Sequence, residues 1–121
     1  MQIQFLFWED CPSHPDAWRR LHEVLDELGI VAEVERIEIT TETEAQRWGF
    51  AGSPTILIDG QDIDPQPELP SRLTCRLYFH EDGRPSPLPS HAMIARAILA
   101  AQPGPQTGTA APNTAKGTED A

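Results

Sequence analysis

The first forty residues restrict the fold more than any other part of the chain. Residues 2–8 (QIQFLFW) begin with alternation and end as a continuous apolar run, the pattern of a strand covered on both faces. A punctuated stretch follows, Glu9-Asp10-Cys11-Pro12-Ser13-His14-Pro15. Trp18, Leu21, Leu25 and Leu28 then recur at spacings of three, four and three, which marks one face of a helix. Gly29 stops that helix. Both prolines fit if the helix starts between Cys11 and Ser13, because amides of the first turn have no intrahelical partner. Residues 30–39 (IVAEVERIEI) are β-branched and alternating, with a phase slip near Arg36 that reads as a strand irregularity. Strand, helix and strand in this order make a parallel pair with a right-handed crossover.

The later elements follow from turn and cap chemistry. Thr41 and Glu44 form a capping box for a short helix that ends at Trp48-Gly49. Residues 55–59 (TILID) make a third strand, and Asp59-Gly60 turns the chain into residues 61–64. Pro65, Pro67 and Pro70 form an extended connector that cannot donate to a sheet ladder. Residues 73–79 (LTCRLYF) alternate again, Asp82-Gly83 turns, and Ser90 caps a last helix with Ile94, Ala97, Ile98 and Ala101 on its apolar face. Strands joined by a tight turn are antiparallel. The expected fold class is α/β, a four-stranded mixed sheet flanked by three helices.

Composition sets the limits around this core. From Pro103 to Ala121 the chain has no aromatic or branched aliphatic residue, so it buries too little apolar area to offset an ordering cost of ~1–2 kcal/mol per residue. The expectation is one domain over residues 1–102 and a disordered tail over 103–121. Nine Lys and Arg against 19 Asp and Glu leave a net charge of −10, which disfavours phosphate backbones and anionic lipid and argues against nucleic-acid or membrane partners. The longest early apolar run, Phe5-Leu6-Phe7-Trp8, is too short for a signal peptide or a membrane span. Two cysteines do not make a disulfide-rich scaffold, so the expected setting is the cytoplasm with free thiols.

Chemistry concentrates at two places. Cys11 directly follows the first strand and opens the first helix, in Cys11-Pro12-Ser13-His14, and Gly52-Ser53-Pro54-Thr55 leads into the third strand. With the element order, these motifs resemble the thioredoxin-like superfamily, close in size to glutaredoxins, across about residues 2–101. The resemblance implies a thioredoxin-like fold, with Cys11 as the nucleophile and Pro54 as a cis-proline. It puts His14 where a second, resolving cysteine usually stands.

Physical chemistry supports the same sulfur independently. A thiol at a helix N-terminus feels unpaired amides and the positive end of the helix dipole, both of which favour the thiolate. Glu9 and Asp10 would oppose ionisation, while a protonated His14 would assist it. A strand-to-helix junction is an exposed place, which favours a reactive Cys11 over an inert core thiol. Next to a cis bond, the backbone groups of Ser53 would lie open beside Cys11, ready to pair with an extended thiol-bearing chain. Ser53, Pro54 and Thr55 are therefore the candidate substrate-binding residues.

Cys75 leaves two readings open. If residues 73–79 form the fourth sheet strand, Cys75 lies at the end remote from Cys11, and no bridge forms between Cα atoms more than ~7 Å apart. If residues 61–64 are that strand, the connector can return Cys75 to Cys11 as a resolving thiol. A metal site finds no second ligand pair at matching spacing among His22, Cys75, His80 and His91. The expected activity is thiol–disulfide exchange through the single Cys11 thiolate, tuned by His14, with no cofactor and glutathione as co-substrate. Its partner would be a thiol or disulfide substrate, a protein among the options. The alternative is a non-enzymatic adaptor, or a protein that captures a ligand or metal through its thiol.

Overall fold

A computed structural model describes residues 1–101; the tail expected from position 103 lies outside the described residues. Strand β1 (Ile3–Phe7) is followed by α1 (His14–Glu27), β2 (Val34–Glu38), α2 (Glu42–Trp48), β3 (Thr55–Ile58) and β4 (Gln61–Asp62). A two-stranded ribbon of β5 (Tyr78–Phe79) and β6 (Pro85–Ser86) precedes α3 (His91–Ala101). The main sheet has the order β2-β1-β3-β4. It is mixed: β1 and β2 run parallel, and β3 is antiparallel to both of its neighbours β1 and β4. The described residues are thus α/β, with three helices and a four-stranded mixed sheet.

β1 is central and buried on both sides. Ile3, Phe5 and Phe7 pack with Ala17, Leu21, Val24 and Leu25 of α1 and with Ile94 and Ile98 of α3. Leu6 faces the other way, into a smaller cluster with Ile39, Ala45 and Phe50 around α2. The two sides of the sheet also explain the phase slip in the second strand. Pairing with β1 runs unbroken from Val34 to Glu38, so the strand has no irregularity at Arg36. Instead Val34 serves one cluster and Ile37 the other. Arg36 closes the first side with its guanidinium 4.4 Å from the Phe7 ring centre and 5.6 Å from that of Trp18, a cation–π arrangement.

The helix ends follow their local chemistry with one correction. α1 begins at His14, not between Cys11 and Ser13, so Pro15 lies in its first turn and Pro12 stands ahead of it. At α2 the Thr41 hydroxyl accepts the Glu44 amide at 3.1 Å. The Glu44 carboxylate takes the amide of Thr40 rather than that of Thr41, one residue off the expected box. Gly49 ends the helix in the left-handed region, at φ 65°. Ser90 caps α3 through the amide of Met93, at 3.1 Å.

Residues 73–79 do not form the expected single strand. β4 occupies the sheet edge, and this segment contributes only one bridge, between Ser53 and Cys75, before joining the ribbon. Its alternation is inverted relative to hydropathy: Arg76 and Tyr78 are buried, whereas Leu77 and Phe79 are exposed. No helix among the described residues is long and apolar enough to cross a membrane.

Candidate functional site: two thiols at the sheet end

Antiparallel pairing sets the end of β1 beside the start of β3, with Leu6 opposite Thr55. Cys11, four residues beyond β1, therefore meets Gly52-Ser53-Pro54, which leads into β3. The Ser53-Pro54 bond is cis. The Cys11 amide donates to the Trp8 carbonyl at 3.0 Å, which closes the turn before α1. The Cys11 sulfur lies 3.1 Å from the Ser13 hydroxyl and 3.4 Å from the Ser53 carbonyl oxygen.

The expectation of an open Cys11 beside unpaired Ser53 backbone is overturned. Cys11 and Ser53 are both fully buried, because the chain supplies its own partner to Ser53. The Ser53 amide donates to the Thr74 carbonyl at 2.7 Å, and the Ser53 carbonyl accepts the Arg76 amide at 3.1 Å. The Ser53 hydroxyl accepts the Trp8 amide at 3.0 Å. Residues 74–76 thus lie as a strap along Ser53.

That strap brings Cys75 to Cys11. Cys75 bridges to Ser53, whose carbonyl oxygen is in contact with the Cys11 sulfur, and the two thiols influence each other's ionisation. Both are free thiols, Cys11 buried and Cys75 exposed. Burial pushes the Cys11 thiol up. Interactions with the Ser13 hydroxyl and backbone, with the Cys75 thiol and with the Ser53 hydroxyl outweigh it, and the net shift is below the ordinary 9.0. Partial desolvation, then the hydrogen bond to Cys11 and its charge, push Cys75 up to about 11. One sulfur of the pair is thereby prepared to carry the charge and the other to keep the proton.

The strap is anchored by a buried cation. The Arg76 guanidinium, on a residue only 3% exposed, donates to Asp62 at 2.8 Å, to the Thr55 hydroxyl at 3.1 Å and to the Asp64 carbonyl at 2.7 Å. It also stacks 4.3 Å from the Tyr78 ring centre. Tyr78, fully buried, donates its hydroxyl to the Pro54 carbonyl. Thr55 completes the corner by donating to the Gly52 carbonyl at 2.6 Å. Gly52 itself has no room for a side chain: a Cβ there would sit 2.6 Å from the Arg76 Cβ and 2.9 Å from the Cys75 carbonyl oxygen.

His14 stands elsewhere in this arrangement. It is buried against the Phe7 ring at 4.7 Å, its Nε2 lies 3.9 Å from Glu9, and its Nδ1 has no partner among the described residues. After burial, the leading influences on the Cys11 sulfur come from Ser13, Cys75 and Ser53. Sequence reasoning gives no role to Ser13, Gly52, Arg76 or Tyr78. A charge inside the otherwise apolar alternation of residues 73–79, with Asp62 and Asp64 upstream, was the available signal for Arg76. Among the described residues, no group of three or more His, Cys, Asp and Glu side chains is placed to hold a metal ion. Comparison with protein-family models, with curated proteins and with solved structures finds no match to this chain.

Proposed function

We propose that this chain is a thiol–disulfide oxidoreductase of thioredoxin-like architecture that works through Cys11 and Cys75. The observation that carries the reading is that the Ser53–Cys75 bridge sets a second thiol beside Cys11, whose sulfur lies 3.4 Å from the Ser53 carbonyl oxygen and whose pKa is held below its ordinary value. A stabilised thiolate is the attacking form in disulfide exchange. An adjacent second sulfur can displace a bound partner without recourse to an external resolving thiol, so the two-cysteine route takes precedence over exchange through Cys11 alone. The net reaction converts two protein thiols and one low-molecular-weight disulfide into a Cys11–Cys75 disulfide and two free thiols. Glutathione disulfide is the expected co-substrate class. The mixed sheet, with Cys11 after β1 and the cis Ser53-Pro54 bond before β3, supports the thioredoxin-like reading.

The test is equilibration of the reduced full chain in glutathione buffers of graded ratio, followed by acid quenching and intact-mass measurement. The expected product is a monomer lighter by two hydrogens. Accumulation of a stable glutathione adduct in its place would favour the one-cysteine route. A chain that remains reduced at every ratio would overturn the oxidoreductase reading and leave the adaptor, which the burial of Cys11 also fits.

A further inference from the structure

We infer that Cys75, not Cys11, is the sulfur that carries the external partner in the mixed disulfide, and that Cys11 resolves it from behind. The inference rests on the two-thiol reading above and assigns its direction. Access comes first: Cys75 is exposed and borders an open groove with Ala51, Arg72, Thr74 and Leu77, whereas Cys11 has no exposed surface.

Occupancy of the Ser53 backbone points the same way. Both its amide and its carbonyl are taken by Thr74 and Arg76, so an extended substrate finds no free pairing edge beside Cys11. Reaching Cys11 would require lifting the strap. That motion is opposed by the buried Arg76 with its contacts to Thr55, Asp62 and Asp64.

Exchange chemistry then fixes the order of events. In the oxidised protein an incoming thiolate attacks the Cys75 sulfur, forming a bond to Cys75 and breaking the Cys11–Cys75 bond. The electron pair leaves on Cys11, whose thiolate is already stabilised by Ser13; a leaving thiol of lower pKa departs faster. Attack at Cys11 would instead expel Cys75, the poorer leaving group. A second thiolate attacks the partner's sulfur in the mixed disulfide, releasing the partner disulfide and the Cys75 thiolate, which takes up a proton. Two electrons have passed from two thiols to the protein. In reverse, a partner attached at Cys75 is displaced by Cys11.

Full-length Cys11→Ser and Cys75→Ser chains, exposed to glutathione disulfide and mapped by peptide mass spectrometry, distinguish the two assignments. The expected result is an adduct at Cys75 in Cys11→Ser that forms at least tenfold faster than the adduct at Cys11 in Cys75→Ser. The oxidised wild-type chain, treated briefly with limiting glutathione and trapped in acid, should carry its adduct on Cys75, which removes dependence on either variant's folding. Equal or faster modification of Cys11, or a trapped wild-type adduct on Cys11, overturns the assignment while leaving the oxidoreductase reading intact. A glutathione titration in which the chain stays reduced at every ratio overturns that reading itself, and one that gives only a stable adduct overturns the two-thiol route on which this assignment rests.

Discussion

Replacing Gly52 by alanine tests whether the strap is what unites the two thiols. The new Cβ would lie 2.6 Å from the Arg76 Cβ, 2.9 Å from the Cys75 carbonyl oxygen and 3.0 Å from the Cys75 carbonyl carbon. These are backbone atoms and a Cβ, not the ends of flexible side chains, so the strap itself must move. Overpacking of this kind costs ~1–3 kcal/mol. The available relief is to release the Ser53 hydrogen bonds to Thr74 and Arg76, each worth ~1 kcal/mol net. Loss of ~2 kcal/mol of strap docking lowers the effective concentration of Cys75 at Cys11 by roughly 30-fold, at ~1.4 kcal/mol per factor of ten. Gly52 also sits at φ +128°, so alanine adds backbone strain of ~1–3 kcal/mol that is separate from the contact. Gly49→Ala provides the control, because that site has φ +65° and nothing within 4 Å of the point where a Cβ would stand. The assay is the equilibrium constant between the Cys11–Cys75 disulfide and glutathione. The expected outcome is a fall of at least tenfold for Gly52→Ala and less than threefold for Gly49→Ala. Equal constants for the two variants would refute the strap argument.

Three further outcomes follow from the same corner. Asp62→Asn leaves the Arg76 guanidinium without its carboxylate in a fully buried setting, and should destabilise the chain by ~3–5 kcal/mol in urea unfolding; a loss below 1 kcal/mol would contradict the anchor. Tyr78→Phe deletes the side-chain donor to the Pro54 carbonyl, and should cost ~1–3 kcal/mol without changing the sheet signature in circular dichroism. For the reduced protein, Cys11 ionises in the folded chain before the unfolded one, so its contribution to stability grows with pH up to 9.0 and fades as pH falls through its depressed folded value. Cys75 does the opposite: the unfolded chain ionises first, so stability declines from pH 9.0 toward about 11. Urea midpoints across this range, compared with a Cys11→Ser/Cys75→Ser chain, should show a maximum near pH 9 in the wild type alone.

Local signals made Cys11 and Pro54 legible, because a strand end, a helix start and a Ser-Pro-Thr motif are each written in neighbouring residues. The same holds for the caps at Thr41 and Ser90 and for the end at Gly49. What sequence could not arrange was the competition for the sheet edge. Residues 61–64 and 73–79 were both credible edge strands, and the apolar alternation favoured the longer one. The outcome turned on a long-range polar contact: Arg76 is buried between Asp62 and the Tyr78 ring, which turns Leu77 and Phe79 outward. Hydropathy gives no credit to a buried guanidinium, so its phase was read backwards. The same inversion placed Cys75 beside Cys11 and filled the Ser53 edge from within. Adjacency in the chain is not contact: the His14 ring packs on Phe7.

The reach of the site as an oxidant is set by how strongly it holds the Cys11 thiolate. Stabilising the reduced form raises the potential of a dithiol couple, so each hydrogen bond to the sulfur makes the disulfide easier to reduce. Ser13 contributes both its hydroxyl and its backbone to the lowered pKa. Ser13→Ala removes only the hydroxyl, 3.1 Å from the sulfur, and leaves the backbone donor in place. A hydrogen bond to a charged group is worth ~1.5–3 kcal/mol. Sulfur is a weak acceptor, which selects the lower figure, and ~1.4 kcal/mol corresponds to 30 mV for a two-electron couple. At pH 9, where a thiol held below 9.0 is more than half ionised, the variant should therefore be more reducing by up to about 30 mV in a glutathione titration, and its Cys11 pKa should rise in parallel. A potential that stays constant while the pKa rises would separate thiolate stabilisation from redox poise. In that case the strap's packing, rather than the hydrogen bonds on Cys11, would set the equilibrium between the two sulfurs.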